Sequence, residues 1–189
     1  MTGPRTILPR AGLFLPRAVS IGSLYSRGMA TRSVRTDGPA ETEALGAELA
    51  SALADGDLVL VRGDLGAGKT TLVRGAARAL GVSDPVTSPT FSIGHRYKAR
   101  AAGDGPADPH GLTVSHLDLF RLAGLGEEEP EMLADYVGPG RIAFVEWPPE
   151  GEPELAAARF VVTLAHGGGD ARLVEVEEPV PAGGAGSAR

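Results

Sequence analysis

Gly63-Asp64-Leu65-Gly66-Ala67-Gly68-Lys69-Thr70 is the stretch on which the fold of this chain turns. It matches G-x-x-x-x-G-K-[ST] at every fixed position, the pattern of a phosphate-binding loop. Glycines there let backbone N–H groups crowd around phosphate oxygens that a side chain would keep away. Such a loop needs a strand before it and a helix after it. Leu58-Val59-Leu60-Val61 is a short continuous apolar run, suited to a strand buried on both faces. Residues 69–80 then read as a helix stopped by Gly81, and its N-terminus would aim unpaired N–H groups at the same phosphates. Lys69 could reach the β and γ phosphates, the Thr70 hydroxyl could ligate Mg²⁺, and Thr71 is placed to touch the α phosphate. Asp64, Leu65, Gly66, Ala67, Gly68, Lys69, Thr70 and Thr71 are therefore the candidate nucleotide-binding residues.

Outward from the loop, the apolar pattern suggests an α/β fold. Leu45, Leu49 and Leu53 form one stripe of a helix over residues 41–54, with Pro39 near its start and Gly56 past its end. Residues 93–97, 112–117 and 142–145 read as strands. Residues 160–164 and 173–176 alternate like two arms of a hairpin around Gly167-Gly168-Gly169-Asp170. The stretch 99–111 is a polar Gly/Pro/Asp-rich loop, and 127–136 is weakly helical with Pro130 inside it. The expectation is a single P-loop NTPase domain over residues 34–178, with a mainly parallel central sheet flanked by helices and antiparallel additions.

The two ends read differently. Residues 1–28 carry Arg5, Arg10, Arg17 and Arg27 and no acid, a composition resembling an organelle transit peptide. Their Leu and Ile positions form no amphipathic helix, so a disordered extension over 1–33, or a start at Met29, is the favoured reading. Residues 179–189 are small and polar, expected to be a disordered tail.

Composition narrows the function. At 189 residues and 42% apolar, the chain can bury a real core. No run approaches the roughly 18 apolar residues of a membrane span, so no membrane role is expected. With no cysteines, disulfides, thiolate metal sites and thiol catalysis are excluded, and a reducing cytoplasm fits. The net charge of −6 argues against a broad, autonomous nucleic-acid-binding surface, because phosphate contacts need clustered Lys and Arg.

A phosphate loop needs acids near its metal. Glu146 ends the run Ile142-Ala143-Phe144-Val145, where P-loop proteins carry a metal-binding acid, and Asp118 ends Thr113-Val114-Ser115-His116-Leu117. In a parallel sheet the strand C-termini gather beside the phosphate loop, so both could reach the Mg²⁺ shell. The alternative for each is a solvated acid at a strand end. Lys69, Asp118 and Glu146 are the candidate catalytic residues, with Thr70 and Glu146 the candidate metal ligands. Ser88 and Thr90, in the turn Thr87-Ser88-Pro89-Thr90-Phe91, are candidate switch residues or parts of a plain connector. His116 reads as a hydrogen-bonded core residue more readily than as a catalyst. Arg121 could pair with an acid or a phosphate, and Trp147 could cover the nucleotide or fill the core.

Four motifs in order make the chain resemble the TsaE family: the loop continued through Thr71-Leu72, then Ser88-Pro89-Thr90-Phe91, then His116-Leu117-Asp118-Leu119-Phe120-Arg121-Leu122, then Val145-Glu146-Trp147-Pro148. The resemblance spans roughly residues 36–176. It implies a small Mg²⁺-dependent ATPase, an accessory in tRNA threonylcarbamoyladenosine modification that acts on a transferase pair of TsaB and TsaD type. It implies that Thr70 and Glu146 hold Mg²⁺, that Asp118 positions or activates the attacking water, and that residues 88–91 are a switch. Arg121 and Trp147 would support the site or the partner contact, and residues 36–42 would border the adenine. Two features depart from the family pattern: the segment Glu127-Glu128-Glu129-Pro130-Glu131-Met132 and the leader. Two other readings stand beside this one. One is a small-molecule or nucleoside kinase on the same scaffold, and the other is a nucleotide-gated binding module with little turnover.

Overall fold

Continuous apolar runs make the middle of the sheet. Leu58-Val59-Leu60-Val61 lies in β2 (Leu58–Gly63) and Ile142-Ala143-Phe144-Val145 in β5 (Arg141–Glu146), each run buried throughout. Alternating segments lie to one side of that middle, as in β6 (Phe160–His166) and β7 (Arg172–Pro179). The remaining strands are β1 (Met29–Thr36), β3 (Gly94–Lys98) and β4 (Thr113–Asp118), and the helices are α1 (Pro39–Ala50) and α2 (Lys69–Ala79). This computed structural model describes residues 29–89, 92–99, 111–120, 133–149, 155 and 157–179. The expected loop at 99–111 and helix at 127–136 fall mostly outside those residues, as do the leader 1–28 and the tail beyond residue 179.

The strand order is β1-β7-β6-β2-β5-β4-β3. Four strands, β6, β2, β5 and β4, run parallel at the centre. β7 and β1 add antiparallel at one end and β3 at the other. The sheet is thus mixed, with the expected parallel character confined to its middle. Parallel neighbours need long crossovers, whereas the five-residue turn after β6 can only return the chain antiparallel.

The two faces are covered differently. Val59, Val61, Val114, Ile142 and Phe144 pack with α1 and α2. Leu58, Leu60, Leu117, Ala143 and Val145 face the other way, onto Leu133, Tyr136, Val137 and Leu155. α1 and α2 therefore share one face, and the other is covered by the segment that holds Leu133, Tyr136 and Val137 together with Leu155. The period of two in each strand makes this possible, since β2 and β5 present apolar residues to both faces.

Two further boundaries differ from the sequence reading. The first helix ends at Ala50 and not at 54, because Ser51 turns its Oγ onto the Glu48 carbonyl at 2.6 Å and the next amides close tighter turns. Leu53 still packs on the core from that turn. The first strand starts at Met29, five residues before the expected edge of the domain at 34, and pairs in register with β7 up to Thr36 and Arg172. Its polar sequence hides it: backbone hydrogen bonds hold this strand, more than buried apolar side chains do.

α1 and α2 meet where neither has a side chain. A Cβ on Gly46 would lie 2.1 Å from the Leu72 carbonyl oxygen, and one on Gly75 would lie 2.0 Å from that of Glu43. Glu43 also pairs with Arg74 and Arg78 across the same seam. Alanine at either glycine would gain about 1 kcal/mol of helix propensity but force the helices apart. Gly75→Ala is expected to lower stability by about 1–3 kcal/mol net, read as a lower urea midpoint with an unchanged slope. An unchanged midpoint would show that the seam yields freely.

Candidate functional site

The glycine-rich loop lies between the C-terminus of β2 and the N-terminus of α2. Gly63 takes φ 134° and stands opposite Leu164 of β6, where a Cβ would come 2.2 Å from the Leu164 carbonyl oxygen. No other residue fits there. Gly68 caps α2 in the left-handed region, and no side chain caps the helix start. The first N–H groups of α2 thus lack a side-chain acceptor beside the loop, the arrangement that binds anions.

Lys69 folds back into this loop. Its Nζ donates to the carbonyls of Gly63 at 2.8 Å and Asp64 at 2.9 Å and lies 4.0 Å from the centre of the Trp147 ring. Burial pushes the Lys69 ammonium below the ordinary lysine value, while the charges of Glu146, Asp118 and Asp64 counter that push. An ammonium has three donors, so two carbonyls leave one N–H for a phosphate oxygen. Trp147 holds its ring there at a backbone cost: its φ of 56° lies in the left-handed region, unusual for so bulky a residue. Its amide donates to the Val61 carbonyl at 3.2 Å, and its ring meets that of Phe120 at 4.8 Å.

The parallel register brings the acids together. Asp118 of β4 is paired with Glu146 of β5, and Glu146 in turn with Val61 of β2, two residues before the loop begins. Glu146 is only 2% exposed. Its Oε1 accepts from the Thr70 hydroxyl at 2.8 Å and from His116 Nε2 at 2.8 Å. Asp118 accepts from the Ser88 hydroxyl at 2.9 Å on one oxygen and from the Phe120 amide at 3.1 Å on the other. The structure thus gathers Lys69, Thr70, Ser88, Asp118, Glu146 and Trp147 into one constellation. Thr90, Phe91 and Arg121 lie outside the described residues.

Thr36 and Thr42 stand otherwise. Both are buried, their hydroxyls 2.8 Å apart, and Thr42 also reaches the Gly38 carbonyl. Those side chains are spent on each other, so the expected adenine contact of residues 36–42 gets no support from them.

Sequence reasoning missed Arg172. Its Nε donates to the Ala67 carbonyl at 3.0 Å and its Nη2 to that of Gly66 at 3.2 Å, while Nη1 reaches Ala171 and Gly169. One guanidinium thereby ties the β6–β7 turn to the loop through two of the loop's carbonyls. No local signal marks it: a lone Arg after a glycine turn looks like surface, and only topology brings it to a loop more than a hundred residues earlier. His116 is buried and hydrogen-bonded, as expected of a core histidine, and its partner is Glu146.

The donor set fits the groups the motif implies. A hydroxyl and a carboxylate meeting at the loop are hard oxygen ligands of the kind Mg²⁺ takes, and a helix N-terminus with a buried lysine fits phosphate.

The family model described as "Threonylcarbamoyl adenosine biosynthesis protein TsaE" matches residues 36–174. A Streptomyces coelicolor protein named tRNA threonylcarbamoyladenosine biosynthesis protein TsaE is 39% identical over 126 residues, covering 67% of this chain and 80% of the relative. A Bacillus subtilis protein of the same name is 35% identical over 140 residues, covering 74% and 81%. The crystal structure of YdiB from Bacillus subtilis is similar with a TM-score of 0.55 and 27% identity, covering 82% of this chain and 90% of that one.

Removing the Arg172 guanidinium should loosen the loop before it disturbs the core. In Arg172→Met, amide exchange over residues 64–68 is expected to rise by roughly tenfold, and Arg172→Lys should not restore it because an ammonium lacks the fork. Hydrogen exchange read by mass spectrometry checks this; unchanged loop exchange would reduce Arg172 to a surface contact.

Proposed function

The chain belongs to the TsaE family of threonylcarbamoyl adenosine biosynthesis proteins, and from that premise we propose that it is a P-loop ATPase serving tRNA threonylcarbamoyladenosine modification. Its partners under this reading are a TsaD-type and a TsaB-type protein, and it meets tRNA only through them. The reading places it in the cytoplasm; among the described residues no helix is long and apolar enough to cross a membrane.

The observation that carries the proposal is the meeting of Thr70 and Glu146. It joins the first turn of the helix after a glycine loop to the end of a central strand, at 2.8 Å. Thr70 and Glu146 would hold Mg²⁺, which supplies neutralisation of the β and γ phosphate oxygens. The loop amides and Lys69 bind and orient those phosphates. Trp147 covers the ammonium and limits the water around it, which strengthens its pull on an anion. Asp118 orients the attacking water. Phosphoryl transfer needs little else from a protein than such positioning and charge.

The test is ATP cleavage measured with and without a TsaB–TsaD pair. Lys69→Ala and Glu146→Ala are each expected to lower partner-dependent cleavage by roughly 100-fold or more, the usual scale for losing a charge-stabilising group. Undiminished cleavage in both variants would sink the ATPase reading. Transfer of the γ phosphate to a metabolite in preference to water would point to a kinase.

A further inference from the structure

His116 has no role in the reading above, yet it occupies an odd place. It is wholly buried on β4, on the face shared with Val114, Phe144 and the helices. An apolar side chain would fill that site at less desolvation cost. Its ring has one partner among the described residues: Nε2 lies 2.8 Å from Glu146 Oε1, while Nδ1 is buried without a hydrogen bond. A ring placed to satisfy the core would have both nitrogens met.

The geometry of the pair is diagonal. His116 stands opposite Phe144 in the β4–β5 register, and Glu146 two residues further along β5 stands opposite Asp118. The two side chains therefore reach along the sheet to meet, on the face carrying the loop. A carboxylate oxygen accepts, so Nε2 is the donor. Oε1 thus takes two donors from two directions, Thr70 from α2 and His116 from β4. Thr70 cannot lock the carboxylate by itself, because the same hydroxyl is the other candidate metal ligand. When it turns to a cation, its bond to Oε1 must weaken, and His116 is then the donor that remains.

We propose that His116 is a positioning residue that fixes the Glu146 carboxylate for metal binding. Groups that donate to a ligating side chain from behind orient it, and their loss typically costs about 10–100-fold in metal affinity. This inference rests on Glu146 being a metal ligand, and the experiment is built to separate the two.

The measurement is the dissociation constant of a fluorescent ADP analogue, taken with Mg²⁺ and with a chelator, in the full chain. In the wild type, Mg²⁺ should tighten binding. In His116→Leu that enhancement should shrink by about tenfold or more, with the affinity in chelator within about twofold of wild type. His116→Gln, whose side-chain amide can donate at nearly the place of Nε2, should recover most of the enhancement; His116→Asn, which is too short, should not. If the leucine variant fails to fold, the Gln and Asn pair carries the same comparison. A full Mg²⁺ enhancement in the leucine or Asn variant would overturn the proposal, as would an equal loss of affinity with and without Mg²⁺, which is what a merely structural histidine predicts. Glu146→Ala is the control on the premise. If it keeps the wild-type enhancement, the metal role of Glu146 falls and this inference with it; if Glu146→Ala loses the enhancement and His116→Leu keeps it, the inference alone falls.

Discussion

Glu146 sits at the end of a central strand with 2% of its surface exposed, and a buried carboxylate is tolerated only where donors surround it. Much of the site's architecture can be understood as the supply of those donors. β5 must lie between β2 and β4 for Glu146 to be level with the loop on one side and Asp118 on the other. α2 must begin at the loop, so that Thr70 in its first turn reaches the Glu146 Oε1. The seam of Gly46 and Gly75 brings α1 close against α2 on that face. Shift the β2–β5 register by one residue and the carboxylate would turn to the opposite face, away from both donors.

The cationic side of the site is built from the same parts. Lys69 is buried by the loop and the Trp147 ring, a cost visible as its lowered proton affinity, and three acids limit that cost. The left-handed backbone at Trp147 follows from its place: the residue after Glu146 must leave the strand and still turn its ring back over the loop. Strain of about 1–3 kcal/mol at such a residue persists only where neighbours hold it, here the Val61 carbonyl and the Phe120 ring. Arg172 completes the frame by donating to the Gly66 and Ala67 carbonyls of the loop.

How much of this could be read from the sequence depended on whether a feature was local. The loop, its strand and its helix carry their signal in adjacent residues, and the structure places them within a residue or two of the expected bounds. Acids at strand ends were legible because a parallel sheet gathers such ends on one side. The β6–β7 hairpin was legible from its glycine turn, whereas the pairing of β1 with β7 was not, since strand neighbours are set by pairing over long separations. β1 escaped in part because Thr31, Arg32, Ser33 and Arg35 give no apolar alternation. Arg172 and the His116–Glu146 pair are invisible to any local rule: each is a lone polar residue whose meaning depends on the strand beside it.

Asp118 shows how this frame couples distant segments. Both of its oxygens are held, one by the Ser88 hydroxyl and one by the Phe120 amide. The second bond is local and belongs to the turn at the end of β4. The first comes from the segment between α2 and β3, thirty residues away in sequence. A displacement of that segment would redirect the Asp118 carboxylate, and through the bond from Arg74 Nε to the Val86 carbonyl it would also bear on α2. Under the ATPase reading, nucleotide binding rests chiefly on the glycine loop and water positioning on the Ser88–Asp118 contact. Under that same reading, a partner that pressed on the Ser88 segment would act on cleavage chiefly through the Asp118 carboxylate.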